Sequence, residues 1–248
     1  MRNYIFRAGA NRWLKGIVMS LKSLREEVLK ANIQLVDNGL VVLTWGNASG
    51  IDRKRGLVAI KPSGVSYADL RPEQLVVVDL DGKVVEGSLR PSSDMKTHIA
   101  LYRTWPEIGG VVHTHSTYAT AFAQACLPIP CYGTTHADFC PGDIPCVRAL
   151  TAAEVDEDYE ANTGKAIIDG FARFSPKEYP GAIVSHHGPF AWGKSAIDAA
   201  NNAIILENVA LMALHTRALR PDIGPVPEYI LQKHHLRKHG PNAYYGQK

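Results

Sequence analysis

The stretch that decides the fold is Gly109 to Thr120, GGVVHTHSTYAT, in which two histidines stand one residue apart at the end of an apolar run. In an extended strand successive side chains point to opposite faces, so His113 and His115 project from the same face. Their imidazoles are then close enough to share one ligand. The stretch therefore predicts a strand that ends in a pair of candidate metal ligands.

Extended and helical patterns alternate on both sides of this stretch. Short β-branched runs between Gly, Asn and Pro turns predict strands, with Asp81-Gly82 as a hairpin signal: residues 40–50, 56–64, 75–87, 181–188 and 189–193. Apolar residues at helical spacing predict helices after the capping box Ser23-x-x-Glu26 and in residues 91–105, 159–171, 195–219 and 227–240. Helices before, between and after the strands predict a layered α/β domain with a mixed sheet.

Composition bounds the function classes. The 248 residues, of which 46% are hydrophobic and 21% charged, are typical of a globular enzyme of one domain. The net charge of +3 comes from the first nineteen residues, since the remainder carries 23 basic and 24 acidic side chains. We therefore expect no nucleic-acid binding. No run approaches the roughly 18 apolar residues of a membrane span, and the four cysteines are interpreted as free thiols, so we expect a cytoplasmic protein.

A third histidine follows another apolar run, AIVSHHGPF at residues 182–190. If the ends of two sheet strands meet, His186 or His187 can join His113 and His115 around one divalent ion. Three neutral imidazoles leave coordination positions open, which is typical of a catalytic site. Strand alternation leaves the choice between His186 and His187 open.

Three turns have the chemistry of phosphate sites, because small residues, hydroxyls and exposed backbone N–H groups can approach an anion. They are TWGNAS (44–49), KPSG (61–64) and PSSD (91–94), and their candidate phosphate ligands are Gly46, Asn47, Lys61, Ser63, Gly64, Ser92 and Ser93. Each turn alone is also compatible with ordinary turn chemistry. Asp138 in GTTHADF is predicted in a loop, and Arg237 in KHHLRKHG is either part of a solvated basic helix end or an anion ligand.

Taken in order, LTWGNAS, IKPSG, PSSD, VHTHS, GTTHAD, HGPFAWG and LRKHG followed by YYGQ resemble the L-ribulose-5-phosphate 4-epimerases of the class II sugar-phosphate aldolase/epimerase superfamily. The resemblance runs from about Met19 to the C-terminus. It implies an α/β/α domain with a central, mainly antiparallel sheet over residues 19–248. Residues 1–18 are then an N-terminal extension, either disordered or a misassigned start.

The resemblance also implies a set of site residues and partners. It assigns a divalent metal, usually Zn²⁺, to His113, His115 and His187, with Asp94 near or on it, and acid/base roles to Asp138 and Tyr245. It assigns phosphate contacts to Gly46, Asn47, Ser63, Gly64, Ser92 and Ser93. Mn²⁺ or Co²⁺ would suit the same ligands. It further implies a C4 homotetramer whose active sites lie at subunit interfaces.

The implied reaction interconverts L-ribulose 5-phosphate and D-xylulose 5-phosphate by cleaving and remaking the C3–C4 bond, with a metal-bound enediolate in between. Cleavage is needed because the hydrogen on C4 is one carbon too far from the carbonyl to be acidic. Two alternatives stay open. One is a class II sugar-phosphate aldolase or sugar-acid phosphate decarboxylase, and the other is a non-catalytic interaction module like the adducin head.

Overall fold

The computed structural model describes the backbone of residues 11–246 and the side chains of residues 21–246. The first ten residues of the predicted extension lie outside the described part. Helix α1 begins at Asn11 and ends at Asp37, so Ser23 and Glu26 lie inside the helix and do not begin it. A capping box needs a helix start to act on, and here the preceding residues continue the same helix.

The elements follow one another through the described residues as helices and strands of ordinary length. The α-helices after α1 are α2 (Met95–Thr104), α3 (Thr117–Gln124), α4 (Thr134–Ala137), α5 (Ala152–Gly170), α6 (Ala196–Leu219) and α7 (Glu228–His239), with a 3-10 turn at Pro72–Gln74. The strands are β1 (Asn47–Asp52), β2 (Leu57–Ile60), β3 (Val76–Asp79), β4 (Val84–Glu86), β5 (Gly110–His113), β6 (Cys146–Val147), β7 (Gly181–Val184) and β8 (Pro189–Gly193).

The strands form one sheet in the order β4-β3-β2-β1-β5-β8-β7-β6. Every neighbouring pair is antiparallel except β6 with β7, which is parallel. The predicted mixed, mainly antiparallel sheet is therefore confirmed. In its centre β5 lies between β1 and β8, with His113 opposite Asn47 on one side and Phe190 on the other.

Alternation along the central strands divides the core between the two faces of the sheet. Val111 and Trp192 belong to a cluster with Tyr102 of α2 and Ile167 of α5, and neighbouring residues such as Val112 face α1 and α6 instead. Helices thus cover both faces, and the α/β/α class is confirmed. By the same alternation His113 lies on the α2 side, with Val111.

Two local predictions need correction. Residues 40–46 form turns and loop, not strand, because Leu43 (φ 54°) and Gly46 (φ 78°) adopt left-handed backbone conformations that a strand excludes. Strand β1 begins at Asn47, so only the second half of the predicted segment, from Asn47 to Gly50, is extended. The predicted loop around Asp138 contains the single-turn helix α4, and Asp138 is its C-cap residue.

Helix α6 is long and apolar enough, by length and composition alone, to cross a membrane. Its small residues Ala196, Ala199, Ala200 and Ala203 are nevertheless buried in the cluster that includes α1 and the sheet. Packing against the sheet and α1 therefore accounts for these small residues of α6.

Candidate active site

Three histidines meet at the ends of the central strands. His113 is the last residue of β5, His115 lies two residues beyond it, and His187 lies in the tight turn between β7 and β8. The β5–β8 pairing brings that turn beside His113. One ring nitrogen from each histidine lies within 4.8 Å of the others.

The neighbouring His186 does not point into this group. Its backbone has φ 62°, and its Nε2 lies 3.3 Å from Sγ of Cys126 on the outside of the turn. The left-handed residue at this position reverses the chain, and therefore His186 and His187 face different ways. The structure thus places His187 with the histidine pair.

The chemistry of this donor set fits a divalent cation. Nδ1 of His113 donates to the Pro189 carbonyl at 2.9 Å, which leaves Nε2 with its lone pair free, 3.1 Å from Nε2 of His115. Burial lowers the pKa of His113 and lowers that of His187 to about 3, so both rings are neutral, as metal ligands must be. Within residues 21–246, Nδ1 of His187 is buried without a hydrogen-bond partner.

Asp94 lies at the start of α2 beside the histidines. Its Oδ2 accepts a hydrogen bond of 2.7 Å from Nδ2 of Asn47, which also donates to the Ser92 hydroxyl at 3.0 Å. Burial alone would raise the pKa of Asp94, but His113, His98 and the Asn47 amide together hold it below its ordinary value. The carboxylate is therefore ionised and oriented, although it is not one of the three grouped ligands.

The phosphate turns and the histidines line the same pocket, whose volume is about 390 Å³. Two backbone hydrogen bonds join the turns, from Ser63 N to Arg90 O and from Ser92 N to Lys61 O. The predicted lining residues are all present: Gly46, Asn47, Lys61, Ser63, Gly64, Ser92, Ser93, Asp94, His113, His115 and His187. A single concave site therefore combines hydroxyls, glycines, a lysine and three grouped histidines.

Lys61 is the cation of this pocket and is 1% exposed. Burial lowers the pKa of its ammonium group to about 8, and Nζ lies 4.6 Å from the centre of the Tyr67 ring. At neutral pH the Lys61 ammonium group is still mostly protonated. It therefore offers a buried positive charge that can bind an anion.

Two further lining residues, Tyr159 and Glu160, were missed by the sequence analysis. Helix α5 is broken at Asp158 (φ −165°, ψ 90°), and Asp158 Oδ1 caps the second segment by accepting from Ala161 N at 3.2 Å. The predicted helix begins at Tyr159, directly after this break. An Asp before a helical pattern is an N-cap signal, but it does not tell which pocket the first turn borders.

The remaining predicted site residues form a second group, which does not line the pocket. Arg237 donates to Asp138 through Nε at 3.1 Å and Nη2 at 2.6 Å, and Nδ1 of His234 lies 3.2 Å from the same carboxylate. The Arg237 guanidinium also lies 4.9 Å from the centre of the Tyr245 ring. Arg237, predicted as an anion ligand, thus connects Asp138 and Tyr245, and the structure separates these three from the histidines.

The charge state of Asp138 follows from this group. Burial would raise the pKa of its carboxyl, but the hydrogen bonds from Arg237 and His234 lower it below its ordinary value. Backbone hydrogen bonds from Tyr244 and Tyr245 to the Arg237 carbonyl fix the C-terminal segment to α7. Tyr244 and Tyr245 are therefore held in place by the helix that precedes them.

Comparison with known proteins supports one family. Residues 26–214 match the family described as the Class II Aldolase and Adducin N-terminal domain. Proteins named L-ribulose-5-phosphate 4-epimerase UlaF from Salmonella paratyphi C and Salmonella typhi are 57% identical over 228 residues, which is 92% of this chain and 100% of each relative.

Solved structures agree. An L-fuculose 1-phosphate aldolase superposes with a TM-score of 0.71 at 25% identity, covering 86% of this chain and 94% of that one. YgbL from Escherichia coli, described as a putative aldolase/epimerase/decarboxylase, gives a TM-score of 0.71 at 26% identity, covering 86% and 98%. The chain therefore belongs to the class II aldolase and adducin family, and within it to the group of its L-ribulose-5-phosphate 4-epimerase relatives.

Proposed function

We propose that this protein is a metal-dependent L-ribulose-5-phosphate 4-epimerase that interconverts L-ribulose 5-phosphate and D-xylulose 5-phosphate. The observation that carries the proposal is the shared pocket, in which neutral histidines and three phosphate-type turns surround one cavity. The identity of 57% to relatives of that name supports this substrate class.

Each group of residues has a distinct task in this reaction. The glycines and hydroxyls of the three turns, with Lys61, bind the phosphate and so keep the aldehyde fragment in place after the C3–C4 bond breaks. When bound, a divalent cation supplies a Lewis acid that stabilises negative charge on the substrate oxygens. Asp138 and Tyr245 move the proton of the C4 hydroxyl, one for each face of the fragment.

Zn²⁺ is the proposed metal, because three imidazoles are a common catalytic zinc ligand set; Mn²⁺ and Co²⁺ are the alternatives. His113, His115 and His187 would hold it, with Asp94 beside them. The proposed localisation remains the cytoplasm, and residues 19–248 remain the proposed catalytic domain.

The proposed assembly is a C4 homotetramer with active sites between protomers. It is supported by the separation of Asp138 and Tyr245 from the histidine pocket of the same chain. Exposed large apolar side chains, such as Trp45 beside the pocket and Leu219 at the end of α6, supply surface for such contacts. In this arrangement the second group of one protomer completes the pocket of its neighbour.

The test is incubation of the metal-loaded protein with L-ribulose 5-phosphate while D-xylulose 5-phosphate and free glycolaldehyde phosphate are both followed. We expect the epimer to form without stoichiometric release of the aldehyde, and to stop forming when a chelator removes the metal. Free aldehyde in amounts equal to the substrate consumed would favour the aldolase alternative, and no turnover with bound metal would contradict the proposal.

A further inference from the structure

A buried polar chain lies directly behind the histidine pocket. Helix α2 carries Asp94, His98 and Tyr102 at four-residue spacing, so they share one face. Strand β1 carries Asn47 and Ser49 at two-residue spacing, also on one face. The two faces meet pairwise, with Asn47 bonded to Asp94 and Ser49 bonded to both His98 and Tyr102.

The protons of this chain can run in either direction, and each direction leaves one buried proton without a partner among Ser49, His98 and Tyr102. In one direction the Tyr102 hydroxyl donates to Ser49 Oγ at 2.8 Å. The Ser49 hydroxyl then donates to Nδ1 of His98 at 2.7 Å. The opposite direction would leave the Tyr102 hydroxyl proton without an acceptor in this chain of bonds. The first direction instead places the one unpaired proton on Nε2 of His98.

With its proton there, Nε2 of His98 is a hydrogen-bond donor that lacks an acceptor in the core. His98 is completely buried, and in the part of the chain that the structure describes its Nε2 has no hydrogen-bond partner. A buried unpaired donor is costly and rare in native proteins. Its ring lies 6.4 Å from that of Phe190, which stacks on His113 of the pocket.

The Asp94 carboxylate offers an acceptor for such a donor. The hydrogen bonds to its carboxylate from Asn47 and Ser92 both end on Oδ2, so among the described contacts Oδ1 is the oxygen left for a further partner. His98 lies one helical turn after Asp94 on the same face of α2.

We propose that His98 is a positioning residue for Asp94, with a Nε2–H group, oriented through Ser49 and Tyr102, that holds the Asp94 carboxylate toward the metal centre. Outer hydrogen bonds of this kind orient ligands and raise metal affinity. The inference rests on the metal-binding part of the proposed function.

The test compares two variants whose side-chain amides replace different nitrogens of the imidazole. In His98→Gln the side-chain amide reaches the position of Nε2, whereas in His98→Asn it reaches only that of Nδ1. Co²⁺ is the probe, since its visible absorption reports ligand geometry. We expect His98→Asn to weaken Co²⁺ binding about 10-fold or more and to change the spectrum, and His98→Gln to remain within a few-fold of the unchanged protein.

Asp94→Asn supplies the coupling control. If His98 acts through Asp94, the effect of His98→Asn on Co²⁺ affinity disappears in the Asp94→Asn background. If neither His98 variant folds, Ser49→Ala replaces them, because it removes the hydrogen bond to Nδ1 that fixes the tautomer of His98. We then expect Ser49→Ala to weaken Co²⁺ binding by less than about 10-fold, and expect this loss to disappear in the Asp94→Asn background.

The outcomes separate the two claims. Equal Co²⁺ affinity and spectra for His98→Asn and His98→Gln, with a difference in thermal unfolding alone, would assign His98 a merely structural role and overturn the inference. An effect that persists in full in the Asp94→Asn background would overturn it as well. Failure of the unsubstituted protein to bind Co²⁺ would instead contradict the proposed function, and the inference with it.

Discussion

At the scale of single residues, one backbone contact decides what His113 can do. The Pro189 carbonyl accepts from Nδ1 and so directs Nε2 to the pocket, while Phe190 stacks on the ring with 4.2 Å between centroids. The proton position and the ring plane are both fixed before any ligand arrives. A preorganised imidazole of this kind loses little entropy on binding a cation.

We expect His113→Ala, His115→Ala and His187→Ala each to lose the metal and nearly all activity while the fold survives, because three imidazoles leave no spare ligand. His186→Ala is the matched control, since its ring lies against Cys126, and it should bind metal normally. Metal content per chain, measured by atomic emission, checks this. An empty site in His186→Ala together with a full one in His187→Ala would contradict the ligand assignment.

Ser93 is the most direct probe of the phosphate turns, because it lines the pocket and is exposed. We expect Ser93→Ala to raise KM for the phosphorylated sugar about 10-fold, as for one hydrogen bond to a charged group, with metal content unchanged. Asn47→Ala should differ, because its Nδ2 is bonded to Asp94 and Ser92. It should lower kcat as well, and an identical kinetic change in both variants would contradict this distinction.

His136 is a buried group outside the pocket whose titration should appear in stability. Burial lowers its pKa to about 4 from the ordinary 6.5. The unfolded chain therefore binds this proton first, and the folded state loses stability as the pH falls through 6.5, until the loss is complete near 4. When the pH is lowered from neutral to about 5, the titration of His136 should lower the free energy of unfolding by about 2 kcal/mol.

Urea unfolding of the metal-free protein at these two pH values measures that loss, and His136→Gln is the comparison. The variant should lose less stability on acidification than the unsubstituted chain. Equal losses in the two proteins would show that His136 keeps its ordinary pKa in the folded state.

At the scale of elements, the sequence was most informative where a signal is local. The hairpin at Asp81-Gly82, the strands at residues 181–184 and 189–193 and the helices α6 and α7 follow from turn residues and periodicity, which act over a few positions. The loop at residues 40–46 was missed because its apolar residues imitate a strand, although Leu43 and Trp45 are exposed. Their apolar character gave no indication of the left-handed turns that break the pattern.

Among the site residues, too, those that depend on local spacing were predicted and those that depend on long-range contacts were not. The two-residue spacing predicted that His113 and His115 lie together, and their Nε2 atoms are 3.1 Å apart, although β5 ends at His113 and His115 lies two residues beyond it. The contact of Tyr159 and Glu160 with the pocket depends on the break in α5 and on packing against α2, for instance the 2.6 Å bond from Thr97 Oγ1 to the Glu160 carbonyl. Long-range contacts such as this, or Arg237 with Asp138, leave no periodic signal in the sequence.

The break in α5 is itself open to test through Asp158. Asp158→Ala removes the cap of the second segment and should lower the free energy of unfolding by about 1 kcal/mol, as measured by urea unfolding. KM should also rise, because Tyr159 and Glu160 follow directly and line the pocket. Asp156→Ala, an exposed site in the first segment, is the control. Unchanged stability and KM in Asp158→Ala would mean that the break does not depend on its cap.

At the scale of the whole molecule, the predicted site residues fall into two groups on one chain. The histidine pocket carries the proposed metal ligands and the proposed phosphate turns, and the group around Arg237 carries Asp138 and Tyr245. In the proposed assembly, a working site needs the pocket of one protomer and the second group of another. A symmetric ring satisfies this requirement for every protomer at once.

Subunit mixing tests this claim most directly. His113→Ala damages the pocket and Asp138→Asn damages the second group, so each variant alone should be inactive. In mixed oligomers assembled from equal amounts, about one quarter of the sites should combine an intact pocket with an intact second group and recover epimerase activity. Mixing His113→Ala with His187→Ala, both in the pocket, should recover none. No recovery from verified His113→Ala and Asp138→Asn hybrids would contradict the shared site.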